Sequence, residues 1–165
     1  MISMLLLKLL LLSLNQLVLS TSVLSNGQRF HFSSNYSVHE LPPSTDNKSV
    51  LEVEASINLS NILGVLEKQQ LISLETSLRL YWQDTRVKAV ERFLHGQDMH
   101  GSYLTLHPNL AEKFWMPDIF IDKAKTIRRP MFFIRPAYLR LYNNSLVKYS
   151  SRINFDVACP MDFRR

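Results

Sequence analysis

Ile72-Ser73-Leu74-Glu75-Thr76-Ser77-Leu78-Arg79-Leu80-Tyr81 decides the fold. Ile72, Leu74, Thr76, Leu78 and Leu80 alternate with Ser73, Glu75, Ser77, Arg79 and Tyr81, the period of two expected of a β-strand with one buried face. The run upstream repeats it, with Val53, Ala55, Ile57 and Leu59 alternating with Glu52, Glu54, Ser56 and Asn58. Gly64 and the polar Glu67-Lys68-Gln69-Gln70 mark a turn between the two.

Further strands are predicted at Lys113 to Asp122, Met131 to Tyr142 and Leu146 to Val157, separated by Arg129-Pro130 and Asn143-Asn144. The paired asparagines are turn chemistry, so Tyr138 to Tyr142 and Tyr149 to Ile153 read as a hairpin. Helical periodicity is weak past the first residues. The predicted fold class is therefore all-β, an immunoglobulin-like antiparallel β-sandwich.

Met4 to Leu12 is almost wholly leucine, interrupted by Lys8, and Ser20-Thr21-Ser22 supplies small residues for cleavage. Residues 1–22 read as a signal peptide, since Lys8, Ser13, Asn15 and Gln16 break the apolar run short of the ~20 residues of a spanning helix. Residues 23–49 are polar and aperiodic, with Pro42-Pro43, and read as a flexible N-terminal arm before a domain at 50–165. Four glycosylation sequons, at Asn35, Asn47, Asn58 and Asn143, agree with export. Asn143 is the best placed, at a hairpin tip, whereas Asn58 falls inside a predicted strand.

With 19 Lys+Arg against 14 Asp+Glu and little clustering, the charge fits a solvated surface rather than a nucleic-acid groove. The five histidines are dispersed, no HExxH or CxxC occurs, and the four glycines form no phosphate loop. No enzyme, cofactor or metal site is predicted. His95 and His100 flank a loop around Gly96 and Gly101, where solvated histidines are the plain reading. Cys159 is the only cysteine, unusual in an exported domain, so its partner is expected beyond Arg165 in a longer chain, or on another molecule.

Four landmarks stand in a particular order: Trp82-Gln83-Asp84-Thr85-Arg86, Trp115-Met116-Pro117-Asp118-Ile119-Phe120, Tyr149-Ser150-Ser151-Arg152-Ile153 and Ala158-Cys159-Pro160-Met161-Asp162-Phe163. Together they resemble the extracellular domain of the Cys-loop, or pentameric ligand-gated, ion-channel family, from about Leu51 to Arg165. Pro160-Met161 after Cys159 resembles the anion-channel branch. The resemblance implies a β-sandwich that lacks its last strands here, and a small transmitter bound between subunits of a pentamer. It also implies contact with the plasma membrane only through a part that follows Arg165, and a disulfide loop closed on Cys159.

Site residues follow by the same resemblance. Arg79 stands where relatives that bind amino-acid transmitters carry an arginine for the ligand carboxylate, a task that suits a planar guanidinium fork. Ser150 matches the accompanying hydroxyl, with an ordinary strand serine as the alternative. Phe120, Asp122 and Lys123 match positions on the opposite, principal face. Asp122 departs from the family's run there, so a cationic ligand, a proton or a metal stays open beside an acidic transmitter, as does a solvated Asp122. For Trp82, Trp115, Pro117 and Asp118 a scaffold role is expected: aromatic burial, and a turn whose carboxylate caps backbone amides. Arg86 is expected to pair with Asp84 or Asp118. The functional readings are a chloride-channel subunit's ligand-binding part, a soluble secreted binding protein of the same fold, or a truncated form that interferes with receptor assembly.

Overall fold

The computed structural model describes residues 28–43, 50–130 and 136–160. The predicted signal peptide, the sequon at Asn47 and Met161 after Pro160 lie outside the described residues. Among the described residues nine strands run in chain order: β1 (Phe30–Phe32), β2 (Val53–Leu66), β3 (Leu71–Gln83), β4 (Val87–Ala89), β5 (Gly96–Asp98), β6 (Gly101–Leu106), β7 (Ala124–Arg128), β8 (Ala137–Tyr142) and β9 (Leu146–Ala158). The fold is all-β and antiparallel, as the alternation predicted.

Seven strands form one sheet in the order β2-β3-β9-β8-β6-β5, with β7 also paired to β9. β3 runs along the full length of one edge of β9. The other edge is divided: β8 covers Val147 to Ser151, and β7 covers Asn154 to Val157. The second layer holds β1 and β4, which pair through Phe30 with Ala89 and Phe32 with Val87, and a 3-10 turn at Pro108–Lys113.

The core sits between these layers. Leu80, Trp82, Leu104, Leu106, Leu139, Leu141, Val147 and Tyr149 come from the sheet, while Val87, Ala111 and Phe114 come from the covering layer. Each sheet strand contributes alternate residues, so the residues between them, such as Arg79 and Tyr81 on β3, are sent to the opposite, polar face.

Three expectations need correction. The arm at 23–49 is not unstructured over residues 28–43, because Phe30 and Phe32 pack at 5.5 and 5.3 Å from the Phe114 ring and Tyr36 stacks on Phe32 at 4.2 Å. Buried aromatic area holds this segment despite its polar neighbours. Lys113 to Asp122 is not a strand: Pro108 starts a 3-10 turn, the His107 ring accepts the Asn109 N–H, and the chain then runs extended and unpaired to Ile121. Proline at 117 lacks the N–H a ladder needs. Gly64 lies within β2, beside one of two register shifts, rather than in the turn, which is Glu67–Gln69 with Gln70 left-handed at φ 51°.

Candidate functional site

Arg79 and Ser150 face each other directly across the β3–β9 pair. Opposite residues in an antiparallel pair share a face, with Cβ atoms about 4.5–5.5 Å apart. The row continues outward, because Ser56 pairs with Arg79 on β2 and Tyr138 pairs with Ser150 on β8. Ser56, Arg79, Ser150 and Tyr138 therefore line up across four strands on the polar face. Sequence reasoning named two of them.

The state of Arg79 sets it apart. On the same face Arg128 meets Asp156 at 2.8 Å, Arg140 meets Asp98 at 3.3 Å and Arg152 meets Glu75 at 3.5 Å. Among the described residues, the Arg79 side chain makes no hydrogen bond or ion pair. Its guanidinium retains five donors for an incoming acceptor.

One step along β9, Lys148 faces Tyr81 and is diagonal to Arg79. It is only 9% exposed, and its Nζ lies 4.9 Å from the centre of the Tyr81 ring. An ammonium this deep is held by the ring's negative face and by the nearby Asp98 charge. It sets a second positive charge beside Arg79. Lys148 and Tyr138 were missed from sequence, yet both are reached by counting out from the hairpin: Tyr138 and Ser150 lie equal steps either side of Asn144.

Asp98 organises the ground next to this row. It accepts the Tyr142 hydroxyl at 2.8 Å, the His100 N–H at 3.0 Å and Arg140 at 3.3 Å. Arg140 in turn covers the rings of Tyr103 and Tyr138, at 4.1 and 4.9 Å. Burial pushes the Asp98 carboxyl up, but the hydrogen bonds from His100 and Tyr142 and the positive Lys148 outweigh it and hold the group below the usual carboxylate range. Burial and the Asp98 carboxylate push the Tyr142 phenol well above its ordinary value. His100 packs between Tyr81 and Tyr142, at 5.1 and 5.9 Å, while His95 lies against Tyr103. The two histidines serve separate ring contacts.

The scaffold residues occupy the other side. Trp82 is 1% exposed and meets the Trp115 ring edge-on at 6.1 Å. Arg86 pairs with Asp84, not Asp118, at 2.9 Å, and lies over the Tyr36 ring at 4.8 Å. The Tyr36 oxygen accepts the Trp115 N–H at 2.6 Å. Asp118 does not cap amides: it is exposed and makes no hydrogen bond among the described residues. With Met116, Pro117 and Ile119 it lines a cavity of about 350 Å³ against Leu78, Leu80 and Tyr149, on the core side of β3.

Phe120 and Asp122 follow this lining segment and are not brought to Arg79. Phe120 is 86% exposed, and Asp122 accepts the N–H of Lys123, which sits at a left-handed φ of 61°. The Asp122 carboxylate is engaged in its own turn. The two groups of predicted ligand residues thus occupy different sides of one chain. Cys159 is half-buried, and its N–H donates to the Gln70 oxygen at 2.8 Å, tying it to the turn between β2 and β3. Among the described residues no group of three or more His, Cys, Asp or Glu is placed to hold a metal, and no helix is long and apolar enough to cross a membrane.

Residues 29–165 match the model of the neurotransmitter-gated ion-channel ligand binding domain. The chain is 28% identical over 122 residues to a glutamate-gated chloride channel of Drosophila melanogaster, covering 73% of the chain and 24% of that protein. A glutamate-gated chloride channel subunit beta of Haemonchus contortus is 24% identical over 135 residues, covering 79% of the chain and 30% of that protein. A gamma-aminobutyric acid receptor subunit beta of Lymnaea stagnalis is 27% identical over 114 residues, covering 68% and 23%. The chain spans less than a third of the length of these curated relatives.

Proposed function

The chain belongs to the neurotransmitter-gated ion-channel ligand-binding-domain family, and from that premise we propose that it is the extracellular ligand-binding part of a chloride-channel subunit. Its ligand is a small transmitter with a carboxylate, received by Arg79 with help from Ser150. The observation that carries this reading is the free guanidinium of Arg79 among three arginines already paired with acids. Charge-assisted hydrogen bonds to a carboxylate supply the affinity.

Phe120 belongs to a segment packed on the core side of β3, away from Arg79. One chain therefore supplies two half-sites, and a complete site forms where the Arg79 face of one subunit meets the Phe120 loop of the next. Such a repeating head-to-tail contact closes into a ring when the rotation from one subunit to the next divides a full turn. Asp122, held by its own turn, leaves the Arg79 face positive, which favours an acidic ligand over the cationic one that its sequence position allowed. The named relatives, glutamate-gated chloride channels and a gamma-aminobutyric acid receptor subunit, support a carboxylate ligand and a chloride pore.

The apolar strip Ile57, Leu59, Ile62 and Val65 on β2 is 47 to 58% exposed, more than a finished sandwich leaves open. Further strands of the same subunit would cover it, and export through the leader at 1–22 would place the domain on the cell's outer face. The test is voltage clamp of oocytes expressing the complete subunit, with glutamate, gamma-aminobutyric acid and glycine applied in turn. Replacing Arg79 by Ala should raise the half-activating concentration roughly 10- to 100-fold, from about 1.5–3 kcal/mol for a charge-assisted hydrogen bond. An unchanged dose response in R79A, or activation by amines alone, would refute the carboxylate assignment.

A further inference from the structure

The sequons fall into two spatial classes, and we propose that the folded protein carries N-linked glycans at one end of its sheet, on Asn143 and Asn35, while Asn58 stays bare. The inference rests on the export reading above. Asn143 opens the exposed tip between β8 and β9. That tip is fixed in place: Asn143 N–H donates to Ser102 O at 3.0 Å, Asp84 N–H donates to Ser145 O at 3.0 Å, and the Gln83 side chain donates to Asn144 O. The Asn143 amide oxygen rests over Gly101, 2.9 Å from where a Cβ would stand, and the amide nitrogen is turned away from it. Gly101 adopts φ +121°, so the position suits glycine on both counts. The asparagine that would accept a sugar is therefore exposed at a tip held by hydrogen bonds on both sides.

Asn35 lies in the exposed turn after β1. The same turn is tied to the end of β3, through Ser33 N–H to Arg86 O at 2.8 Å and Arg86 Nη1 to Ser37 O at 3.3 Å. β3 ends at Gln83, which reaches Asn144, so the sequons at Asn35 and Asn143 share one end of the sheet. Cys159 marks the other end, roughly 40 Å away along the 13 residues of β9 at about 3.3 Å each.

Asn58 is exposed as well, but it lies inside a strand rather than in a turn. It pairs with Ser77 in the middle of β2, two residues from Ser56 and on the same polar face as Arg79. A glycan there would stand over the Ser56-Arg79-Ser150 row. A bare face and a sugar-capped end together define which surface is open to a neighbouring protein.

The transfer uses a lipid diphosphate-linked oligosaccharide as donor: the sugar C1–O bond to phosphate breaks, the C1–Nδ2 bond forms, and the amide proton leaves with the lipid diphosphate. The test is secretion of the full chain from insect cells in an N47Q background, with a C-terminal reporter sequon that records lumenal entry. Enzymatic removal of glycans in heavy-oxygen water marks each used asparagine as labelled aspartate for peptide mapping. Label at Asn143 and Asn35 but not Asn58, with one mobility step lost in each of N143Q and N35Q and none in N58Q, is the expected result. An occupied Asn58, or an empty Asn143 or Asn35 beside a modified reporter, overturns the inference and leaves the export reading intact. An unmodified reporter means the chain never reached the lumen, and both readings fall.

Discussion

Arg79 and Asp98 illustrate two uses of charge on one face. Among the described residues the Arg79 side chain meets no acid, whereas Asp98 collects a phenol, an amide and a guanidinium and so fixes the β5–β6 turn against β8. Because the folded Asp98 carboxyl is held below its unfolded value of about 3.9, its contribution is present above that pH and is lost as pH falls through the lower, folded value. Thermal unfolding should show wild type above D98N at pH 6, with the gap closing below about pH 4. A gap that stays constant through acid would mean Asp98 acts by shape and not by charge. Lys148 should tune the ligand: K148Q should weaken activation by a dicarboxylate such as glutamate more than by gamma-aminobutyric acid, read as the ratio of half-activating concentrations. At this scale Arg79 and Ser150 were singled out in the sequence by the family landmarks around them, and the structure sets them opposite each other. Lys148 and Tyr138 were not, since their place depends on strand register, which alternation alone leaves free by an even number of residues.

Among elements, the long strands were the readable ones. β2, β3 and β9 each carry a sustained period-two pattern, and the Asn143-Asn144 tip appears where turn chemistry put it. The short elements were hidden for physical reasons. β1 has three residues and owes its place to Phe30 and Phe32 packing on Phe114, a long-range contact that no local pattern records. The expected strand at 113–122 failed because His107 and Pro108 start a tight turn and Pro117 blocks pairing. β2 forms an outer edge of the sheet with apolar side chains exposed and Glu54 as its one charged residue, an arrangement prone to edge pairing. Leu59→Lys with Ile62→Lys should therefore reduce aggregation of the isolated chain in light scattering, with stability changed by only about 0.5 kcal/mol. In the complete subunit the same pair should abolish surface delivery, because further strands would bury both charges. Normal delivery would show that the strip stays open.

The molecule as a whole is a sheet with two distinct faces. Its core face, built on Trp82, Leu139 and Val147, holds the covering layer and the Trp115 to Ile119 segment. Its polar face presents the Arg79 row, which no other part of the chain covers among the described residues. This division separates Arg79 and Ser150 from Phe120 and Asp122 within one copy, as the proposed site between two subunits requires. The most direct measurement is a structure of the assembled complete subunit with glutamate bound. Ligand density between Arg79 and Ser150 of one copy and Phe120 of its neighbour is the predicted result. Density confined to the cavity beside Leu78 and Met116, with Arg79 untouched, would contradict the account.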